Sequence, residues 1–279
     1  MRPIGGKKFK VVASQDKGRQ SHRSHCQGKL NIIGIGPGDI NLISPKAKQA
    51  IRESDVVVGY KTYIELLGSL VSGKKVISSG MTQEAKRAGL AIRLAQEGRQ
   101  VSLVSSGDPG VYGMAGVVLE LLAGNEKDKV KIEIIPGIIA ATSCAGLLGA
   151  PLMHDFAVIS LSDILTDLKL IKRRIVSAAR GDFVIVLYNP QSKKRTQPLK
   201  DAWKILMKHR VPNTPVGIVR NATRRNEEVT IVALKDMLAK NIDMATTIII
   251  GNSHTFTDGR YMVTPRGYNF KKIAFGDDF

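Results

Sequence analysis

Three short stretches of this chain combine the residue types that ligand chemistry needs. Val104-Ser105-Ser106-Gly107-Asp108-Pro109-Gly110-Val111-Tyr112-Gly113 sets one carboxylate among turn formers, directly after an apolar run. Gly34-Ile35-Gly36-Pro37-Gly38-Asp39 and Pro136-Gly137-Ile138 follow apolar runs in the same way. Glycine lets the backbone approach a ligand closely and take positive φ, while proline fixes one dihedral and removes one donor. Asp108 adds an acceptor pair suited to ribose hydroxyls. One such loop alone reads equally well as a tight strand-to-helix turn. Three of them at the strand ends of one α/β unit mark the crevice where open sheets bind ligands. With Asp108 for a ribose and the backbone of residues 138–141 for a base, an adenosine-like ligand fits.

Two better-known nucleotide motifs fail. The dinucleotide fingerprint G-x-G-x-x-G needs glycine where Asp39 stands, and the next strand ends in Gly59-Tyr60 without a ribose-binding acid. Gly68-Ser69-Leu70-Val71-Ser72-Gly73-Lys74 approaches a P-loop, but Lys75 occupies the magnesium-binding Ser/Thr position and the residues before it look helical.

The elements that must position these loops alternate short β-branched runs with longer amphipathic stretches, the pattern of an α/β fold. Strands are predicted at 30–33, 55–60, 75–77, 101–104 and 130–135, with helices starting at Ser44-Pro45 and spanning 83–96, 113–122 and 138–148. The character changes around 149–155, where the domain boundary is placed. A second unit follows with strands at 157–161, 183–188, 216–219, 229–233 and 246–251, and helices at 163–178, 194–209 and 234–240. Its β segments are closely spaced, which favours a mixed sheet. The expected organisation is a basic flexible tail over 1–28, an α/β domain over 29–150, a second α/β domain over 151–267, and a C-terminal tail over 268–279.

At 279 residues and 43% hydrophobic, the chain is long and apolar enough for folded cores. No apolar run reaches bilayer length and no secretory h-region follows the basic start, so a cytoplasmic location without membrane contact is expected. Cys26 and Cys144 are the only cysteines, which argues against a disulfide framework or a cysteine-based zinc site. His22, His25 and Cys26 supply three potential metal ligands without a fourth, so no metal is expected. The net charge is +18; residues 1–29 carry eight Lys or Arg against one Asp, leaving +11 on the rest. Such a field attracts polyanions, whether nucleic acid, an acidic membrane face or a small polycarboxylate.

The ordered motifs Gly34-x-Gly-Pro-Gly-Asp, Ser106-Gly-Asp-Pro-x-x-x-Gly and Pro136-Gly-Ile resemble the class III S-adenosylmethionine methyltransferases, the tetrapyrrole methylase family, from Lys29 to about Gly267. Gly59-Tyr60-Lys61-Thr62-Tyr63, Ser78-Ser79-Gly80-Met81, the segment from Gly149 to Asp163, Tyr188-Asn189-Pro190 and Arg220-Asn221-Ala222-Thr223-Arg224 are similar to the branch that methylates C17 of precorrin-3B or cobalt-factor III. Ile139 departs from the threonine common at that place.

The resemblance implies a two-domain fold, each domain a sheet flanked by helices, with S-adenosylmethionine between the domains and S-adenosylhomocysteine as product. By position, Pro37 would line that site, Ser106, Gly107 and Asp108 would hold ribose and methionine portions, and Val111 would touch the cofactor. Ile139 and Ala140 would meet the adenosine, with Asn189 and Ala222 closing it from the second domain. The implied reaction is attack of C17 on the methyl group with contraction of the ring at C20, in a homodimer. His154, Asp163 and Asp39 have the chemistry of an assisting acid or base, and each would equally serve as a cap. Lys194, Arg195, Arg220 and Arg224 would suit the substrate's carboxylates, with Tyr60, Lys61 and Tyr63 adding aromatic and cationic contacts. An rRNA or diphthamide methyltransferase, or a nucleoside-binding regulator, would share the cofactor loops. With 5% aromatics and no stacking platform, nucleic acid is the weaker partner.

Overall fold

A computed structural model describes residues 10–12, 28–123 and 130–269. It divides into two compact units at Ile139/Ala140. The first runs β1 (Lys10–Val12), β2 (Lys29–Gly34), α1 (Pro45–Glu53), β3 (Val56–Tyr60), α2 (Lys61–Leu67), β4 (Lys75–Ser79), α3 (Glu84–Gln96), β5 (Gln100–Ser105), α4 (Met114–Leu122) and β6 (Lys131–Ile135). Strand order is β1-β4-β3-β5-β2-β6, parallel from β4 to β6. The carboxyl ends at Ser79, Tyr60, Ser105, Gly34 and Ile135 therefore share one edge.

Local chemistry sets the helix bounds. Ser44 Oγ accepts from Ala47 N at 3.2 Å and Pro45 takes the first position of α1, as a cap residue followed by proline should. Gly98, at φ 83°, turns the chain out of α3. The strands are almost continuously apolar because both faces are covered: Leu30, Ile32, Val56, Val58, Val101 and Leu103 pack with α3 and α4 residues. Ile33, Val57 and Val104 pack on the other side with Ala47, Ala50 and Ile51 of α1.

The second unit runs α5 (Ala140–Leu148), β7 (Gly149–Ala150), β8 (Phe156–Ser160), α6 (Leu168–Arg180), β9 (Val184–Tyr188), α7 (Gln197–Leu206), β10 (Pro215–Arg220), β11 (Glu228–Ala233), β12 (Thr246–Ile250), β13 (Phe256–Thr257) and β14 (Met262–Val263). Its main sheet has the order β11-β10-β12-β9-β8. β8 and β9 are parallel, whereas β12 is antiparallel to both β9 and β10. The mixed sheet expected from the spacing is thus present, and the ends of β8, β9 and β10 lie on one edge beside the start of β12. One face packs on α6 and α7 through Ile171, Ile175, Leu199 and Leu206. On the other, a Cβ at Gly217 would lie 2.3 Å from Leu148 Cδ1, so glycine leaves the space that the Leu148 side chain of α5 fills.

Several expectations shift. The unit boundary lies ahead of the change of character at 149–155, because α5 packs within the second unit. The helix predicted from Asp163 begins at Leu168, where Asp167 Oδ1 accepts from Lys169 N at 2.8 Å and leaves 161–167 as a loop. The 234–240 segment forms a 3-10 helix over Leu234–Ala239. Within the expected tail, Lys10–Val12 pairs antiparallel with β4; His22, His25 and Cys26 lie outside the described residues, as does the C-terminal tail beyond Asn269. Among the described residues, no helix is long and apolar enough to cross a membrane.

Candidate active site at the strand ends

In the first unit the three glycine loops interlock through backbone. Gly36 N donates to Gly107 O at 3.1 Å and Gly107 N to Gly36 O at 2.7 Å, with φ of 72° and 66° at the two residues. A Cβ at Gly34 would lie 2.5 Å from Gly107 O, and one at Gly137 would lie 2.2 Å from the same oxygen. No side chain fits at either position. The loops are closer together than any other residue type permits, which leaves backbone lining this part of the edge.

Asp108 locks the arrangement. Its Oδ1 accepts from Gly110 N at 2.7 Å and its Oδ2 from Gly137 N at 3.0 Å, joining the 105–113 loop to the 136–139 loop. Each carboxylate oxygen has a second acceptor direction, so a ribose hydroxyl would add to these bonds and displace neither. Ser106 Oγ reaches Gly36 O at 3.4 Å, Pro37 is buried, and Val111 is exposed. Ser105 Oγ accepts from Met114 N at 3.2 Å and starts α4. Ile139 ends this unit half-buried, and Ala140 opens α5 in the next.

Asp39 works as a cap: its Oδ1 accepts from Asn41 N at 2.8 Å at the start of the 3-10 turn Ile40–Leu42. Tyr60 and Tyr63, at the end of β3, meet edge to face with centroids 5.1 Å apart. Lys61 is exposed and pairs with Glu65 at 3.8 Å.

The second unit closes its edge with side chains instead. Asn189 takes φ 51°, donates from Nδ2 to Ser160 Oγ at 3.0 Å, and accepts from Arg195 Nη2 through its carbonyl at 2.9 Å. Arg195 also donates to Leu161 O at 2.5 Å and lies 3.7 Å from Asp163. Both Arg195 and Asp163 are therefore held in a latch between the ends of β8 and β9. Arg220 is similarly bound, bridging Asp243 and Glu228 at 2.8 Å each. Burial opposes ionisation of Asp243, yet the Arg220 hydrogen bond and the Ala245 backbone hold its carboxyl below the usual range. Ala222 and Arg224 are half-buried beyond β10, and Lys194 is exposed.

His154 departs furthest from its expected place. It precedes β8, and Asp155 O accepts from Val184 N at 3.1 Å at the opening of β9, so His154 sits on the amino edge of the sheet. A five-residue strand separates it from Asn189, roughly 16 Å at strand rise. Its Nδ1 accepts from Asp155 N at 2.9 Å. Burial pushes the Cys144 thiol up to about 11, which removes it as a nucleophile.

Gly34 and Gly137 belong to loops that the sequence already marks; what it does not show is that both approach the same Gly107 carbonyl. Tyr188 was missed: its hydroxyl accepts from Ala141 N at 2.7 Å and caps the opening of α5.

The family model of tetrapyrrole (corrin/porphyrin) methylases matches residues 29–238. A cobalt-factor III methyltransferase of Priestia megaterium is 52% identical over 248 residues, covering 88% of this chain; the chain spans about half of that relative's length, 46%. A probable cobalt-factor III C(17)-methyltransferase of Salmonella typhimurium is 46% identical over 239 residues, covering 86% of this chain and 99% of the relative. The crystal structure of the methyltransferase CobJ superposes with a TM-score of 0.80 at 35% identity, covering 85% of this chain and 100% of that one. With its interlocked glycine loops and this extent of identity, the chain belongs to the tetrapyrrole (corrin/porphyrin) methylase family.

Proposed function

We propose that this chain transfers a methyl group from S-adenosylmethionine to C17 of cobalt-factor III or precorrin-3B, with contraction of the ring, in corrin biosynthesis. The observation that carries the reading is the glycine cradle of residues 34–36, 105–113 and 136–138, in a chain 46% identical to a C17-methyltransferase along nearly that relative's whole length. The cradle suits the cofactor: glycines keep side chains off its floor, and Asp108 keeps acceptor capacity for a ribose. When bound, S-adenosylmethionine supplies an electrophilic methyl group on a sulfonium.

The chain's own residues act mainly by position, since methyl transfer requires the reacting atoms in line at roughly 3–3.5 Å. Gly107 and Asp108 would fix one partner. Asn189 and Ala222, on the edge of the second unit, are the counterpart residues for the cofactor. The polycarboxylate substrate would use exposed Lys194 and Lys61, half-buried Arg224, and the Tyr60–Tyr63 pair. Arg195 and Arg220 shape that edge through their existing bonds. Of the acid/base candidates, Asp39 and Asp163 would act through the loops they tie down. A homodimer in the cytoplasm completes the reading.

The test is incubation with methyl-labelled S-adenosylmethionine and either cobalt-factor III or precorrin-3B. A mass gain of one methyl on the tetrapyrrole is expected, and the preferred substrate tells whether cobalt is already present. Cofactor binding without methyl gain on either tetrapyrrole would sink this reading.

A further inference from the structure

Arg87 is a buried cation that the reading above does not use. It is 3% exposed, in the first turns of α3 beyond the carboxyl end of β4. Its Nε donates to Ser79 Oγ at 2.9 Å, its Nη2 to Gly80 O at 2.8 Å, and its Nη1 meets Met114 Sδ at 3.7 Å. All three partners are neutral. Among the described residues no carboxylate lies within ion-pair distance of it; exposed Glu84 and the Tyr60 and Tyr63 phenols act on it only through space. Burial pushes its pKa down, though a guanidinium stays charged at any ordinary pH.

The other buried arginine shows how such a charge is ordinarily housed. Arg210, in the second unit, lies 3.3 Å from Asp182 and donates to the carbonyls of Ala179, Phe183 and Gly251. A buried charge is costly unless paired, and Arg87 lacks the pairing that Arg210 has. A second polar group is left over at the same corner. Among the described residues Gln83 Oε1 is buried and has no hydrogen-bond partner, and Gln83 precedes Arg87 by four residues, one helical turn on the same face.

The corner stands on the edge where this sheet would receive its ligands. β4 is next to β3, whose end carries Tyr60, and β3 is next to β5, whose end opens the 105–113 loop. Met114, which Arg87 touches, begins α4 straight after that loop. The link from β4 to α3 presents Met81, 57% exposed, and Thr82 at φ 62°, an unusual backbone for a β-branched residue.

We propose that Arg87 is an electrostatic specificity residue: its buried charge, with no carboxylate at ion-pair distance among the described residues, makes the β4–α3 corner positive and selects a substrate bearing carboxylates at that edge, without direct contact. This rests on the tetrapyrrole reading above. A charge in a low-dielectric setting acts over several ångströms, and a carboxylate-bearing ligand outside the edge supplies the counter-charge that the protein withholds.

The test measures binding of uroporphyrin III, which bears acetate and propionate arms, and coproporphyrin III, which bears propionates only, by fluorescence titration. S-adenosylhomocysteine binding is followed in parallel. Gln83→Glu is the sharpest variant, because it sets a carboxylate one turn from Arg87 without altering Arg87's own bonds, and an acid at a helix start favours folding. Gln83→Glu and Arg87→Met are each expected to weaken uroporphyrin III binding roughly tenfold and coproporphyrin III binding less. Arg87→Lys, which keeps the charge but loses the planar fork, is expected to stay within about threefold of wild type. S-adenosylhomocysteine affinity is expected to hold within about twofold in all three. Unchanged uroporphyrin III affinity in Gln83→Glu overturns the proposal, as does Arg87→Lys binding as poorly as Arg87→Met, which marks a purely structural role. Should Arg87→Met fail to fold, Gln83→Glu decides alone. Wild-type protein that binds uroporphyrin III but methylates neither C17 substrate counts against the C17 reading and leaves this test standing.

Discussion

The two strand-end edges solve one problem by opposite means. In the first unit, loops meet through the backbone hydrogen bonds between Gly36 and Gly107, and Gly34 and Gly137 approach Gly107 O so closely that a side chain would collide. In the second, left-handed Asn189 and Asn221 are held by side-chain and carbonyl bonds, and Arg195 and Arg220 gather carbonyls and carboxylates around them. A glycine cradle is defined by what it excludes and leaves its lining free to meet a ligand. A side-chain latch is defined by what it binds, so its charged groups are already engaged.

If this contrast holds, the largest effect comes from adding one carbon to the cradle. Gly137→Ala sets a Cβ 2.2 Å from Gly107 O, and backbone on both sides must move. We expect S-adenosylhomocysteine binding to fall below detection by calorimetry, with about 1–3 kcal/mol of stability lost. Retained affinity would break the cradle side of the comparison. Next is Arg195→Met, which leaves the carbonyls of Leu161 and Asn189 without their donors. Denaturant unfolding should show a loss of about 2–4 kcal/mol, together with weaker tetrapyrrole binding; a loss of binding alone would recast Arg195 as a direct substrate contact.

Asp108→Asn sharpens the contrast, since the Asp108 carboxylate joins the 105–113 loop to the 136–139 loop. An amide cannot accept at both ends, so either Gly110 N or Gly137 N loses its partner, at about 1–3 kcal/mol. A drop in S-adenosylhomocysteine affinity beyond tenfold, measured where the variant is fully folded, would assign Asp108 to the ribose as well as to the loops.

The smallest effect is a titration within the first unit. Hydrogen bonds from Lys29 and Lys46 hold the Glu133 carboxyl down at about 2. Because the folded pKa is depressed, its contribution is complete above the unfolded value of about 4.5 and is lost as pH falls toward 2. Melting curves of wild type and Glu133→Gln should keep a constant small gap down to about pH 4.5 and converge below it. Convergence already at pH 6 would show that the pair is too solvated to matter.

Much of the architecture was legible in the residues themselves. β-branched runs located most strands, and the glycine and proline residues that follow them located all three loops, because apolar continuity and turn chemistry are local properties. Helix bounds failed where a cap lay inside an apolar stretch: Asp167, not Asp163, starts α6. The short pairs β13–β14 and β14–β7 carry too few residues for any periodicity to register.

The site was legible by type but not by engagement. From the sequence alone come the α/β pattern, the glycine loops, Asp108 as the carboxylate among them, and a positive charge suited to an anionic partner. Tertiary structure decided that Asp108 first ties two loops together, that Arg195 and Arg220 are bound by neighbours remote in the chain, and that His154 stands at the wrong end of its strand. It also decided that Arg87, one charge among many in the sequence, is buried with no carboxylate at ion-pair distance among the described residues. The physical reason is that a residue's chemistry is intrinsic, whereas its remaining hydrogen-bonding capacity and the field it exerts depend on partners tens of residues away.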